Sequence, residues 1–392
     1  MADEFMYARE RRLDYKVFDA DNHMYENQDA LTKFIPKQYE GIIKYVEIGG
    51  RTKLALRDHI SDYIPNPTFS KVAPPGAWNN PDEHRRAIPS LDAFFDPEPR
   101  LLLMKDMGID RALMWPTLAS VLEERLADDP DAVQVIIHAL NEWMYEHWTF
   151  NYADTIFPTP IISLSVLERA MEELEWLIER DIRVFLIRVA PVPGWHGRRS
   201  FALPEFDPFW ARVQEADILV GMHSGDPGYQ RYSNEWEGEG TEFRPFARSG
   251  APAFQALSSE KSPVVDGMAS IIGHGLAIRF PNLKFTPVEY GYEWVRPFVE
   301  KLQRAYERSP VIFDEDPMVT FKRSIFVHPF HEPDPAGLAE LIGVDNILFG
   351  SDFPHPEGLH DPLAYSEVVA PMSPEDQAKI MGGNLARLMK VS

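Results

Sequence analysis

The chain has 392 residues, of which 44% are apolar and 26% charged, and it carries a net charge of −22. This balance supplies a large core and excludes the basic stripe that a nucleic-acid partner needs. It contains no cysteine, so disulfides and thiolate metal sites are ruled out and any metal has to be held by His, Asp or Glu.

Residues 1–12 are charged and lack the apolar stretch of a secretion signal, and no apolar run approaches the length of a membrane span. A cytoplasmic location and no membrane partner are the resulting expectations. From residue 15 onward, short β-branched apolar runs alternate with amphipathic helical stretches, as in βα units around a parallel sheet. The first predicted strand is 15–21, leading into Phe18-Asp19-Ala20-Asp21-Asn22-His23. Residues two apart on a strand point the same way, so Asp19, Asp21 and His23 share a direction if the strand persists. An inward carboxylate is costly unless a cation meets it. The alternative is a polar strand end that caps the next helix.

Residues 39–99 are rich in Pro and Gly and do not fit a minimal βα unit. A helix containing 101–107 precedes the second predicted strand, 111–115. A long amphipathic helix, 131–148, follows. The third strand is 159–164, followed by a helix over 167–180. The fourth strand is 183–189 and places Arg188 among apolar neighbours. That charge must be paired, either with Glu289 or Asp21 or with a substrate carboxylate held in a bidentate contact. A helix at 207–216 carries Phe209, Trp210 and Val213 on one side. The fifth strand, 218–223, ends at His223, the position where barrel enzymes place ligands.

Residues 225–262 read as a second long insertion. His274 follows in a helix before the sixth strand, 283–289, which ends at Glu289. The helix placement of His274 favours a structural role over substrate contact. The seventh strand, 324–328, ends at His328, with His331 just beyond, and His328 is a candidate for substrate contact. The eighth, 346–351, leads into Gly350-Ser351-Asp352-Phe353-Pro354-His355. Asp352 there can ligate a metal and accept a proton, and His355 can orient it or touch substrate. Ser373-Pro374-Glu375-Asp376 reads as an N-cap with acids in the first turn. Trp78, Trp195, Trp236 and Trp294 are candidate pocket walls.

Eight doubly buried runs fit one closed (β/α)8 TIM barrel spanning 1–392, with insertions after strands one and five at about 39–99 and 225–262. Asp21, His23, His223 and Asp352 then gather at strand ends as a metal site.

Several of these pieces resemble the amidohydrolase-related (amidohydrolase 2) branch of the amidohydrolase superfamily, which contains aminocarboxymuconate-semialdehyde decarboxylase. They are Asp19-Ala20-Asp21-Asn22-His23, Phe206-Asp207-Pro208-Phe209-Trp210, Met222-His223, Arg279-Phe280-Pro281-Asn282-Leu283, Gly350-Ser351-Asp352-Phe353-Pro354-His355 and Asn384-Leu385-Ala386-Arg387-Leu388. The resemblance implies that Asp21, His23, His223 and Asp352 hold one divalent ion, Zn first, with Mn or Fe as alternatives given the extra carboxylate. It implies that Asp352 takes the proton of an activated water, and that the protein is a homodimer acting on a small molecule. Many relatives have His where this chain has Glu289. Glu289 is therefore read as a replacement acid/base, a further ligand, a group orienting His223, or a salt-bridge partner of Arg188 or Arg279. Hydrolysis of an amide, ester, lactone or C–C bond ranks first. Non-oxidative decarboxylation of an aromatic or unsaturated acid ranks second. A metal-free binding barrel is the reading from another class.

Overall fold

A computed structural model describes residues 13–57, 59–60, 69–118, 122–194, 197–226, 228, 236, 254, 262–330 and 332–392. His331, Trp195 and nearly all of 225–262 lie outside the described residues.

Strand β1 (Phe18–Met24) is buried along its whole length. The chain then leaves the barrel for an antiparallel sheet of β2 (Ile43–Ile48), β3 (Arg51–Leu56) and β4 (His59–Ile60), and a small pair, β5 (Lys71–Val72) with β6 (Ile88–Pro89). It returns as β7 (Arg111–Pro116), which pairs parallel with β1, His23 opposite Trp115. Next come β8 (Ile156–Pro158), β9 (Val184–Leu186), β10 (Leu219–His223) and β11 (Phe285–Val288). The ladders β1-β7-β8 and β9-β10-β11 are all parallel.

Single bridges join the two ladders into a ring. Ile161 pairs with Leu186, Phe285 with Ile325, Val327 with Ile347, and Asn22 with Phe353, each of them parallel. The ring has eight members and closes the first strand on the last, so the TIM barrel is observed. Most predicted strands are shorter than expected, the fourth reduced to Val184–Leu186 and the sixth to Phe285–Val288. The third begins at Ile156 rather than 159 because its two edges are staggered: Ile156–Pro158 bonds to β7, and 160–162 bonds to Leu186. Pro158 and Pro160 cannot donate to a ladder, which keeps both halves brief. The seventh and eighth strands are reduced to isolated bridges.

The helices match their apolar periodicity. Pro130–Trp148, Leu167–Ile178 and Asp207–Ala216 each bury one stripe. Phe209, Trp210 and Val213 are buried as the pattern requires. Trp210 meets Phe285, and Phe209 meets Phe185, both edge-on, pinning that helix to β9 and β11. Ser373 caps its helix by accepting from the Asp376 amide. Among the described residues, no helix is long and apolar enough to cross a membrane.

Candidate metal centre

All four predicted ligands converge at the C-terminal end of the barrel. Asp21 and His23 project from β1, and Asp352 from the chain that closes the ring against it. His223 ends β10. His23 Nε2 lies 3.1 Å from His223 Nε2, 3.3 Å from Asp21 Oδ1 and 3.2 Å from Asp352 Oδ1. His223 Nε2 is itself 3.3 Å from Asp21 Oδ1. Asp21 and Asp352 are fully buried, and the two histidines are nearly so.

These spacings fit a cation. Ligand atoms about 2.0–2.2 Å from one ion, at tetrahedral or octahedral angles, sit about 3.0–3.5 Å from each other. Two imidazole nitrogens at 3.1 Å can share only one proton, yet each also faces a carboxylate. Buried Asp21 Oδ2 and Asp352 Oδ2 have no hydrogen-bond partner. Such orphaned buried oxygens are costly unless a charge meets them. The donor set of two imidazoles and two carboxylates suits a divalent transition ion.

The electrostatics are those of opposed charges at close range. Burial pushes Asp21 up, but hydrogen bonds from His223 and His23 outweigh it and hold its carboxyl far below the usual range. Burial lowers His23 to about 4. For His223 burial also pulls downward, but the hydrogen bond to Asp21 leaves it raised. Burial, with Asp21 adding to it, pushes Asp352 up to about 7 against the lowering effect of His355. A cation between these groups would relieve the repulsion of the two carboxylates.

A second layer surrounds the ligands. His223 Nδ1 donates to Ser224 O at 2.8 Å and lies 3.3 Å from Glu289 Oε2. Glu289 thus stands beside His223, and not beside Arg188 or Arg279 as the salt-bridge alternative required. Arg279 pairs with Asp207 instead. Glu289, Asp352 and Glu357 also bring carboxylate oxygens within 4.8 Å of one another. His355 Nδ1 contacts Asp352 Oδ1 at 2.9 Å, and its ring lies 3.9 Å from that of His23. Thr117 Oγ1 donates to Met24 O at 2.9 Å. The Thr117 oxygen also lies 3.1 Å from His355 Nε2, so the imidazole is held at both ring nitrogens, by Thr117 on one side and Asp352 on the other.

The remaining expectations sort by place. His328 is fully buried; its Nδ1 accepts from the Glu289 amide at 3.1 Å and lies 3.7 Å from Asp21 Oδ2. It braces the ends of neighbouring strands against the ligand cluster, so its predicted substrate contact is replaced by a contact with a ligand. Gly350 leaves the room this requires: a Cβ there would stand 2.4 Å from His328 Nε2 and 2.6 Å from Asp21 Cβ. Arg188 does not pair with Glu289 or Asp21. It donates to Glu124 Oε2 at 2.6 Å, and Arg198 grips the same carboxylate with both guanidinium nitrogens. The cause is Glu124, a fully buried acid that sequence spacing did not bring into view. His274 is exposed, hydrogen-bonded to Ser200 and Ser270, and lies just past Ser262–Gly273 on the path into β11. That is the entry side of the strand, opposite the ligands, so its inclusion as a substrate contact is corrected. Trp78 and Trp236 are exposed, and Trp294 is buried on Gly291 O. The tryptophan that does reach the centre is Trp115, whose ring packs 5.4 Å from His223 while its Nε1 donates to Ala20 O.

Sequence reasoning missed Thr117, Trp115 and Arg100. Thr117 and Trp115 sit where β7 runs beside β1, a register that only the folded ladder reveals.

Comparisons with known proteins give the family and the fold. The family model described as Amidohydrolase matches residues 72–391. Among solved structures, an amidohydrolase from Mycobacterium avium subsp. paratuberculosis K-10 is 34% identical, with a TM-score of 0.89, covering 96% of this chain and 100% of that one. A 2,6-dihydroxybenzoate decarboxylase from Rhizobium shares the fold at 17% identity and a TM-score of 0.62, covering 96% and 99%. A 5-carboxyvanillate decarboxylase from Novosphingobium aromaticivorans DSM 12444, complexed with manganese and 4-hydroxy-3-methoxy-5-nitrobenzoic acid, shares it at 15% identity and a TM-score of 0.60, covering 96% and 97%. No curated protein matches the chain.

Proposed function

The chain belongs to the amidohydrolase family and is a metal-dependent enzyme of that superfamily; from this premise we propose that it is a carboxy-lyase, releasing CO₂ from an aromatic or unsaturated carboxylic acid. The observation that carries this reading is the 2.9 Å contact of His355 Nδ1 with Asp352 Oδ1, an imidazole–carboxylate pair that can hold a proton. Decarboxylation without oxidation replaces a carboxylate by a proton, so the site must hold an acid at rest. Burial pushes Asp352 up to about 7 when no cation is bound; a cation there would lower it and leave the proton of the pair with His355.

The ion would be held by Asp21, His23, His223 and Asp352, with Zn²⁺ or Mn²⁺ as the candidates. A divalent cation there supplies electrophilic stabilisation of substrate oxygens as negative charge develops. The residues supply the rest. His355, held against Asp352 through Nδ1 and 3.1 Å from the Thr117 hydroxyl through Nε2, supplies the proton to the carbon that loses CO₂. Glu289, beside His223, holds the orientation of that imidazole and adds negative charge at the rim.

A second reading follows from the same carboxylate. Without a proton, Asp352 serves as a base toward water, which would give hydrolysis of an ester, lactone, amide or C–C bond. The deciding experiment supplies Zn²⁺- or Mn²⁺-loaded protein with a panel of hydroxybenzoates and related acids, and in parallel with a panel of esters, lactones and amides. The expected result is CO₂ release that Asp352→Asn abolishes in a folded protein. Hydrolysis without CO₂ release would overturn the carboxy-lyase reading, and retained activity in Asp352→Asn would remove Asp352 from the chemistry.

A further inference from the structure

Asn22 stands between two ligand residues in sequence, yet its side chain faces away from the ligand cluster into a buried network. Its Nδ2 donates to Asp19 Oδ2 at 2.8 Å, and its Oδ1 accepts from Arg100 Nη2 at 2.5 Å. Both ends of the amide are thereby assigned. Arg100 comes from the helix Pro97–Met107 and is fully buried. The same Nη2 donates to His23 O at 2.6 Å, Nη1 donates to Ala93 O at 3.0 Å, and the guanidinium lies 5.4 Å from the Phe353 ring centre.

On the other side, Asp19 collects four donors. Oδ1 accepts from the amides of Asp21 at 3.0 Å and Ser351 at 2.9 Å. Oδ2 accepts from Asn22 Nδ2 and, at 2.5 Å, from Ser351 Oγ. Asp19, Asn22 and Ser351 are all buried. The network spans the seam where β1 meets the last member of the ring. It grips two of the four ligand residues by their backbones, Asp21 through its N–H and His23 through its C=O, and reaches Asp352 through its neighbour Ser351.

We infer that Arg100, Asn22, Asp19 and Ser351 act as one set of positioning residues that presets the spacing of Asp21, His23 and Asp352 for a cation. A buried guanidinium and a buried carboxylate at the two ends of one amide are expensive to bring together. Charge-assisted hydrogen bonds running continuously from one to the other offset that cost and fix geometry. Groups that orient metal ligands are commonly worth 10–100-fold in metal affinity. The inference rests on the metal reading above.

The test uses the full chain stripped of metal, with Mn²⁺ as the probe and free Mn²⁺ read by electron paramagnetic resonance. Melting temperature of the metal-free protein is measured alongside. Asn22→Ala and Arg100→Lys are expected to bind Mn²⁺ about 10–100-fold more weakly than wild type. Their combination should cost little more than the worse single change, because both interrupt the same set of bonds. A purely structural role would lower the melting temperature and leave the affinity of the folded protein unchanged. Wild-type Mn²⁺ affinity in folded Asn22→Ala and Arg100→Lys, or full additivity in the double variant, would overturn the inference alone. A wild-type chain that binds neither Mn²⁺ nor Zn²⁺ would overturn the metal reading and this inference with it.

Discussion

Thr117 shows how one small side chain can settle the state of a larger one. Its hydroxyl donates to Met24 O and its oxygen lies 3.1 Å from His355 Nε2, while the other nitrogen of that imidazole stands against Asp352. Thr117→Val keeps the shape and removes the acceptor, freeing His355 to adopt the other tautomer. The expected result is about a tenfold fall in kcat, with KM little changed, for whichever acid releases CO₂. An unchanged kcat would show that the tautomer is held by something else. Residues of this kind were hidden in the sequence because their importance lies in a partner's hydrogen atom. Asp21, His23, His223 and Asp352 were visible because charged groups at the ends of apolar runs contradict their surroundings. Arg188 was equally conspicuous for the same reason, but its partner Glu124 was not, and the pairing was misjudged.

At the scale of elements, legibility followed periodicity. Pro130–Trp148 and Asp207–Ala216 announce their buried stripes, and both were legible to within a residue. The helix Pro97–Met107 does the reverse: Leu102 is 64% exposed while Arg100 is fully buried. No hydrophobic pattern reports a cation turned inward, so Arg100 stayed out of view. Between helices, His138 on Pro130–Trp148 and Glu173 on Leu167–Ile178 are joined at 2.6 Å, and Glu173 also accepts from Asn141. The bond to Glu173 raises His138 above its ordinary value, although burial works the other way. The stabilisation from a raised folded-state pKa is complete below the unfolded value, about 6.5, and is lost as pH rises through the folded one. Thermal melts of wild type and His138→Gln, taken from about pH 5.5 to 8.5, should therefore converge at the alkaline end. A difference between them that does not change with pH would show that the pair contributes nothing through its charge.

For the whole molecule, the closed barrel was legible as eight apolar runs, whereas the weakness of its last two members was not. Pairing there runs through the short bridges Phe285–Ile325, Val327–Ile347 and Asn22–Phe353 and a few backbone bonds around them, such as Ala20 N to Phe349 O and Leu348 N to Val327 O. Such local sparseness depends on backbone geometry that side-chain patterns do not record. An ion held across that seam stabilises the folded state by mass action. At a free concentration one hundred times its Kd, the gain is about 2.7 kcal/mol. With about 2.1 cal/mol/K of unfolding entropy per residue, this amounts to roughly 3 °C in melting temperature for a chain of this size. Stripping with a chelator should lower the melting temperature by that order, and re-addition of Zn²⁺ or Mn²⁺ should restore it. A melting temperature indifferent to both would argue against a resident cation.

The bridge between Asn22 and Phe353 has a consequence in time. Asp21 and Asp352 meet only when two stretches of chain far apart in sequence have found each other, the longest-range contact in the ring. A ribosome emits the first of these long before the second. For most of its synthesis the nascent chain therefore offers a cation only fragments of a site, and incorporation becomes one of the last events of maturation. A molecule truncated before its final strand would remain permanently unloaded.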